Sequence, residues 1–392
     1  MKNLKKFFFS TLVPSFALVL VICLSLNPIS CNSTDANFVG IEILEGDFSV
    51  PKFQDFEVLS ENSLKLSFNK NISLVNASLQ DDFGNKIAVL EDKSKSLENN
   101  LFFNFQESTQ IGKNYTINVL AKDLNENSIM LSVDFLGYNS NPAKMIFSEI
   151  RNAYGTAKVN GEQVHKSEFV EFYVLKSGNL SGLEVFSASD GDDKKYVFPS
   201  VQVQKGDYIT VHMRKIDATE GLDSKGMNNE LDDDLSFSSH IDSCDYARDL
   251  WSENTKSVFA NTDIIVLKNS FNNKIMDSFC YATSQTLSWL ENFSEVLSEV
   301  LESETWLDFE GKASNKISDA VCSDNITSAA CTRSFSRQNV ESLAQIYSED
   351  STVKLSNSKS DWLITADKGS GSKKIYGVTP GYKNSSNEFS KI

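Results

Sequence analysis

Four short runs in the first third of the chain alternate apolar and polar side chains with a period of two. They are "SLKLSFN" (Ser63–Asn69), "NLFFNFQ" (Asn100–Gln106), "NYTINVLA" (Asn114–Ala121) and "IMLSVDFLG" (Ile129–Gly137). That period puts Leu64, Leu66 and Phe68 on one face of a strand, and Tyr115, Ile117 and Val119 on one face of another. Turn-forming segments such as "DDFGNK" (Asp81–Lys86) and "IGKN" (Ile111–Asn114) lie between the runs. Short half-buried strands at this spacing must pair and then cover their apolar faces, which a small β-sandwich over residues 38–140 achieves.

The second part, residues 141–384, continues as strands. "PAKMIFSEI" (Pro142–Ile150) follows "GYNSN", and "SEFVEFYVL" comes next. In the latter, Phe169, Glu171 and Tyr173 alternate with Val170, Phe172 and Val174, so both faces carry bulky groups and the strand is expected at the centre of a sheet. The predicted fold class is mainly β: two Ig-like β-sandwich domains, the second with a helical insertion over 283–330. Within that insertion Leu287, Leu290, Phe293, Leu297 and Leu301 recur at spacings of three and four. This predicts an amphipathic helix with Glu291, Glu295, Glu299 and Glu302 outward, packed across the sandwich.

The first module resembles the bacterial Ig-like modules of surface proteins, which act as spacers. The second resembles a lamin-tail domain, an Ig-fold sandwich. The matching motifs run in order: "FSEI" with Glu149, "EFVEFY" with Glu168 and Glu171, "NLSGLEV", "VQKGDYITVH", "NTDIIVLKN", "KIMDSFCYA", "RSFSR", "SDWLI" with Trp362, and "VTPGYKN" with Pro380 and Gly381. The three glutamates suggest two roles, general acid–base chemistry or a loop-bonded set that fixes the fold, and the second is favoured.

The amino terminus carries Lys2, Lys5 and Lys6, then the apolar run Phe7–Leu26, as in an exported protein. It resembles a spirochaete-type bacterial lipoprotein leader over residues 1–30. The resemblance implies acylation of Cys31 (palmitate or similar chains) and a polar tether over 31–37. Two or three acyl chains anchor stably where a single one does not. The expected location is the cell envelope, with the outer membrane or cell surface favoured.

The chain holds 53 acidic against 37 basic side chains, a formal net charge of −16, and the leader's three lysines would leave −19 once removed. Such a balance argues against a nucleic-acid partner. Four cysteines follow Cys31. They permit three pairings, of which Cys322 with Cys331 and Cys244 with Cys280 is favoured; four free thiols compete with it. In the acidic loop 216–249, Asp232, Asp233, Asp234, Asp242 and Asp245 suggest calcium, although adjacent aspartates more often mark an exposed loop. No other cofactor is expected. The functional expectation is a non-catalytic, lipid-anchored binding or scaffolding module for a protein partner, with a metal-dependent hydrolase or nuclease-associated protein and a structural spacer as the alternatives. Residues 385–392 read as a tail.

Overall fold

A computed structural model of the chain describes residues 47–159, 162–216, 226–326, 331–368 and 376–389. The leader, Cys31, the tether, part of the acidic loop and the last residues of the tail lie outside these.

The period-two runs form strands. The first sandwich consists of β1 (Phe53–Ser60), β2 (Ser63–Phe68), β3 (Ile72–Asp81), β4 (Lys86–Ile87), β5 (Val89–Glu91), β6 (Asn100–Phe105), β7 (Asn114–Asp123) and β8 (Ser128–Leu136). Its two four-stranded sheets have the orders β1-β2-β6-β5 and β4-β3-β7-β8. Alternation decides the core: Leu64, Leu66 and Phe68 of β2 and Tyr115, Ile117, Val119 and Ala121 of β7 point inward, while their neighbours are half-exposed or exposed.

The second sandwich comprises β9 (Lys144–Arg151), β10 (Gly155–Val159), β11 (Glu162–Lys166), β12 (Phe169–Lys176), β13 (Gly178–Asn179), β14 (Leu183–Ser187), β15 (Tyr196–Val197), β16 (Gln202–Val203) and β17 (Tyr208–His212). It continues with β18 (Arg248–Trp251), β19 (Asp263–Asn269), β20 (Lys274–Ala282), β21 (Val321–Cys322), β22 (Arg333–Arg337) and β23 (Trp362–Ala366). A six-stranded sheet, β18-β17-β12-β9-β22-β23, faces a five-stranded sheet, β15-β14-β19-β20-β21. Strand β12 is interior, flanked by β9 and β17, which is why both of its faces are bulky. An aromatic knot joins the sheets. The Phe279 ring lies 5.0 Å from Phe335, 5.9 Å from Trp306 and 4.3 Å from Trp362, in offset or edge contacts that add to simple burial.

The segment "GYNSN" is docked on the second sandwich. The Asn139 side-chain amide donates to the carbonyls of Asn179 and Ser181 at 2.9 and 2.8 Å, and Tyr138 packs on Phe271 at 5.5 Å. Both sandwiches fall within one compact unit, Phe48–Ile392.

The insertion differs from the sequence expectation. Its helix, α1 (Ser294–Ser303), starts later than predicted, after a single 3₁₀ turn at Glu291–Phe293. Phe293, Leu297 and Val300 are buried in the main core, whereas Leu287 and Leu290 are 88% and 59% exposed. Residues i, i+4 and i+7 share one face, and the main chain at Leu290 is already extended, so the two earlier leucines never join that stripe. Glu299 is not simply outward; it pairs with Lys268 of β19 at 3.0 Å. A second helix, α2 (Val340–Glu349), was not anticipated. Its Val340, Leu343 and Ala344 pack on Ile146 and Leu175, covering one end of the outer face of the six-stranded sheet.

Candidate functional site

The other end of that outer face is polar, and still buried. Register explains the arrangement. Glu171 of β12 lies opposite Thr210 of β17 and Glu149 of β9, Phe169 lies opposite His212 and Arg151, and Thr210 and His212 lie opposite Asp249 and Trp251 of β18. A bulge in β9 next to Ser148 keeps Phe147 and Ile150 in the core while Glu149 and Arg151 turn outward. A layer of carboxylates, imidazoles and one guanidinium therefore crosses the sheet, roofed by the acidic loop and by the C-terminal segment.

Glu149 and Glu171 hold the C-terminal part of that roof. Glu149 accepts from the Ser334 hydroxyl and from the Thr379 amide at 3.0 Å, and Glu171 accepts from the Gly381 amide. Glu168 stands apart, accepting from the Ser257 hydroxyl and the Val258 amide and so fixing a different loop. Burial pushes the Glu149 carboxyl up to about 7 despite these donors. Burial, and then the neighbouring Glu149, raise Glu171 well above the usual carboxylate range. Gly381 is a glycine for two reasons: its φ is +83°, and a Cβ there would lie 2.4 Å from the Cys244 sulfur. Trp362 is buried, and its indole N–H donates to Asn357 at 3.0 Å.

Two of the three histidines, His212 and His240, pack ring against ring on this face, whereas the His165 ring packs on Tyr154 at 5.9 Å. His212 Nε2 lies 2.7 Å from Asp249 Oδ1, with the Trp251 indole stacked on its ring at 3.8 Å. His240 packs edge-on against both rings and lies 3.3 Å from the His165 carbonyl. Burial lowers His240 to about 4, keeping it neutral. The Ser238 hydroxyl donates to the second oxygen of Asp249. Ser238 is thus spent on the carboxylate rather than on the imidazole, unlike a nucleophile–base pair. His212 ends β17 and His240 comes from the acidic loop, so no local spacing in the sequence relates them; the fold brings their rings together.

The five aspartates read as calcium ligands do not gather, and that expectation is corrected. Asp242 is buried against Arg151 and, at 3.2 Å, Lys166. Burial works against its anion, but the two cations outweigh that and hold its carboxyl well below the usual range. Asp234 instead closes a local turn with Ser236, and the Asp232 carbonyl accepts from Arg248. Among the described residues no three carboxylate, imidazole or thiol groups are placed to hold a metal ion.

The favoured cysteine pairs do not form either, and all four are free thiols. Cys280 points into the sandwich core, Cys322 is exposed on β21, Cys331 packs against Gly155, and Cys244 packs against Gly381. Each sulfur sits in its own environment because its strand or loop turns it a different way.

Fold and site define a two-sandwich β protein whose second sandwich carries a loop-roofed polar layer. Residues 143–364 match the family model TP_1001_2nd, described as a protein second domain, and the chain belongs to that family. It is 29% identical over 215 residues to an uncharacterized protein of Treponema pallidum (strain Nichols), a match covering 52% of this chain and 50% of that protein. The chain thus spans about half the length of this curated relative. Among solved structures it is similar to the N-terminal part of the bacterial S-layer protein SbsC (TM-score 0.22, 16% identity, 32% of this chain and 41% of that one). It is also similar to a DUF4876 family protein from Bacteroides thetaiotaomicron (TM-score 0.26, 11% identity, 68% of this chain and 83% of that one).

Proposed function

We propose that this protein is a lipid-anchored component of the bacterial cell envelope, held through Cys31, whose second, lamin-tail-like sandwich is a non-catalytic binding module. The observation that carries the reading is how the buried acids are used. Glu149, Glu168, Glu171 and Asp249 accept hydrogen bonds from the loops above them, so they shape the loops and present no activated nucleophile. The leader motif before Cys31 supports the anchor. Among the described residues no helix is long and apolar enough to cross a membrane.

The test has two arms. Mass spectrometry of the native amino terminus is expected to find an acylated Cys31, and Cys31→Ser to move the protein out of the detergent phase; an unmodified terminus sinks the anchor. Crosslinking in intact cells is expected to capture a recurrent partner, and its loss would leave a spacer. Turnover of nucleic acid or phosphoester substrates by the purified protein, with divalent metal present, would overturn the non-catalytic reading.

A further inference from the structure

Between the acidic-loop turn at Ile241–Ser243 and the C-terminal segment Tyr376–Tyr382 lies a cavity of about 440 Å³, within the ~300–1,000 Å³ that small-ligand sites occupy. Its floor is the ion pair of Lys166 and Asp242, both buried, with Asp242 fixed from behind by Arg151. Its rim is aromatic and open: Tyr376 is 58% exposed and Tyr382 49%. Tyr246, 77% exposed, lies 6.2 Å from the Tyr382 ring and extends that surface.

We propose that this cavity binds a neutral saccharide, with the tyrosine rings stacking on the C–H face of a pyranose and the Lys166–Asp242 pair bonding its hydroxyls. The inference deepens the binding-module reading and rests on it. A sugar ring has an apolar face and a rim of groups that both donate and accept. The ammonium of Lys166 only donates and the carboxylate of Asp242 only accepts, and the two stand 3.2 Å apart. Adjacent hydroxyls can use both at once. Charge disfavours the other small ligands. A cation would meet Arg151 and Lys166, and an anion would have to approach a chain of net charge −16, although Asp242 itself is already paired with both cations. A neutral polyol meets neither penalty, and the exposed ring faces give it apolar contact.

The experiment uses the intact chain in a detergent without a sugar headgroup. Saturation-transfer NMR is run against maltotriose, cellotriose, mannotriose and N,N′,N″-triacetylchitotriose at up to about 10 mM, which covers millimolar dissociation constants. At least one oligosaccharide is expected to receive saturation at its ring C–H protons. Tyr376→Ala and Tyr382→Ala are each expected to weaken it about tenfold. Tyr382→Phe, which keeps the ring face, is expected to bind as the parent does, and unchanged tryptophan emission confirms that each variant is folded. Absence of transfer from all four sugars overturns the proposal, as does transfer unaffected by both alanine variants. A recurrent protein partner captured in cells without saccharide binding would remove this inference and leave the binding-module reading standing.

Discussion

Replacing Glu171 with glutamine takes one titrating proton out of the polar layer while keeping an acceptor for the Gly381 amide. The side chain is fully buried and its carboxyl is raised well above the ordinary value, by burial first and Glu149 second. The folded chain therefore keeps this proton where the unfolded chain, titrating near 4.5, has released it. When the native state binds more protons, stability falls as pH rises, by about 1.4 kcal/mol per pH unit for one group. Glu149, raised to about 7, adds a similar slope up to that pH. His240 acts oppositely: its folded value is lowered to about 4, so stability rises between there and 6.5. Glu149 and His240 are common to both proteins and largely cancel in the comparison. Between pH 5 and 7, Glu171→Gln should therefore gain stability relative to the parent as pH rises, at a slope of at most about 1.4 kcal/mol per pH unit. The assay is urea unfolding at pH 5, 6 and 7, followed by tryptophan emission. All four tryptophans, at 251, 289, 306 and 362, lie in the second sandwich and report on it. If the difference between variant and parent is the same at every pH, Glu171 is ionised in the folded protein and the reasoning fails.

Three other outcomes follow from the same geometry. Asp242→Ala strands the buried Arg151 and Lys166 and should cost about 3–5 kcal/mol in denaturant unfolding, with Asp242→Asn costing less. Gly381→Ala meets both a positive φ and the Cys244 sulfur; a loss of more than about 1 kcal/mol is expected, seen first as faster hydrogen exchange at residues 379–382. Thiol labelling of the native protein should modify Cys322 rapidly and leave Cys280 and Cys331 protected until unfolding, with no disulfide among the four when mass is measured without reductant.

Much of the strand framework was legible because alternation is a local signal. Leu64, Leu66 and Phe68 announce their own inward face, and β12 announces its interior place by carrying bulk on both sides. The pattern of α2 is also present in the sequence, where Val340, Leu343, Ala344 and Tyr347 stand at helical spacing. The start of α1 was not legible, since Leu287 and Leu290 fit the same period as Phe293 and Leu297, and only the shape of the core separates them. For Glu149 and Glu171 the sequence offered two uses. The donors that decide between them, Thr379 and Gly381, are more than 200 residues away along the chain.

By itself the sequence determined that the chain is built from short paired strands, because a period of two leaves each segment with one face it must cover. Only the tertiary structure decided that Glu149 and Glu171 lie under a roof of loops, that His212 and His240 pack together, and that Asp242 pairs with Arg151 and Lys166. Hydrogen bonds and ion pairs of that kind join positions whose proximity depends on strand order and register, which no local pattern records.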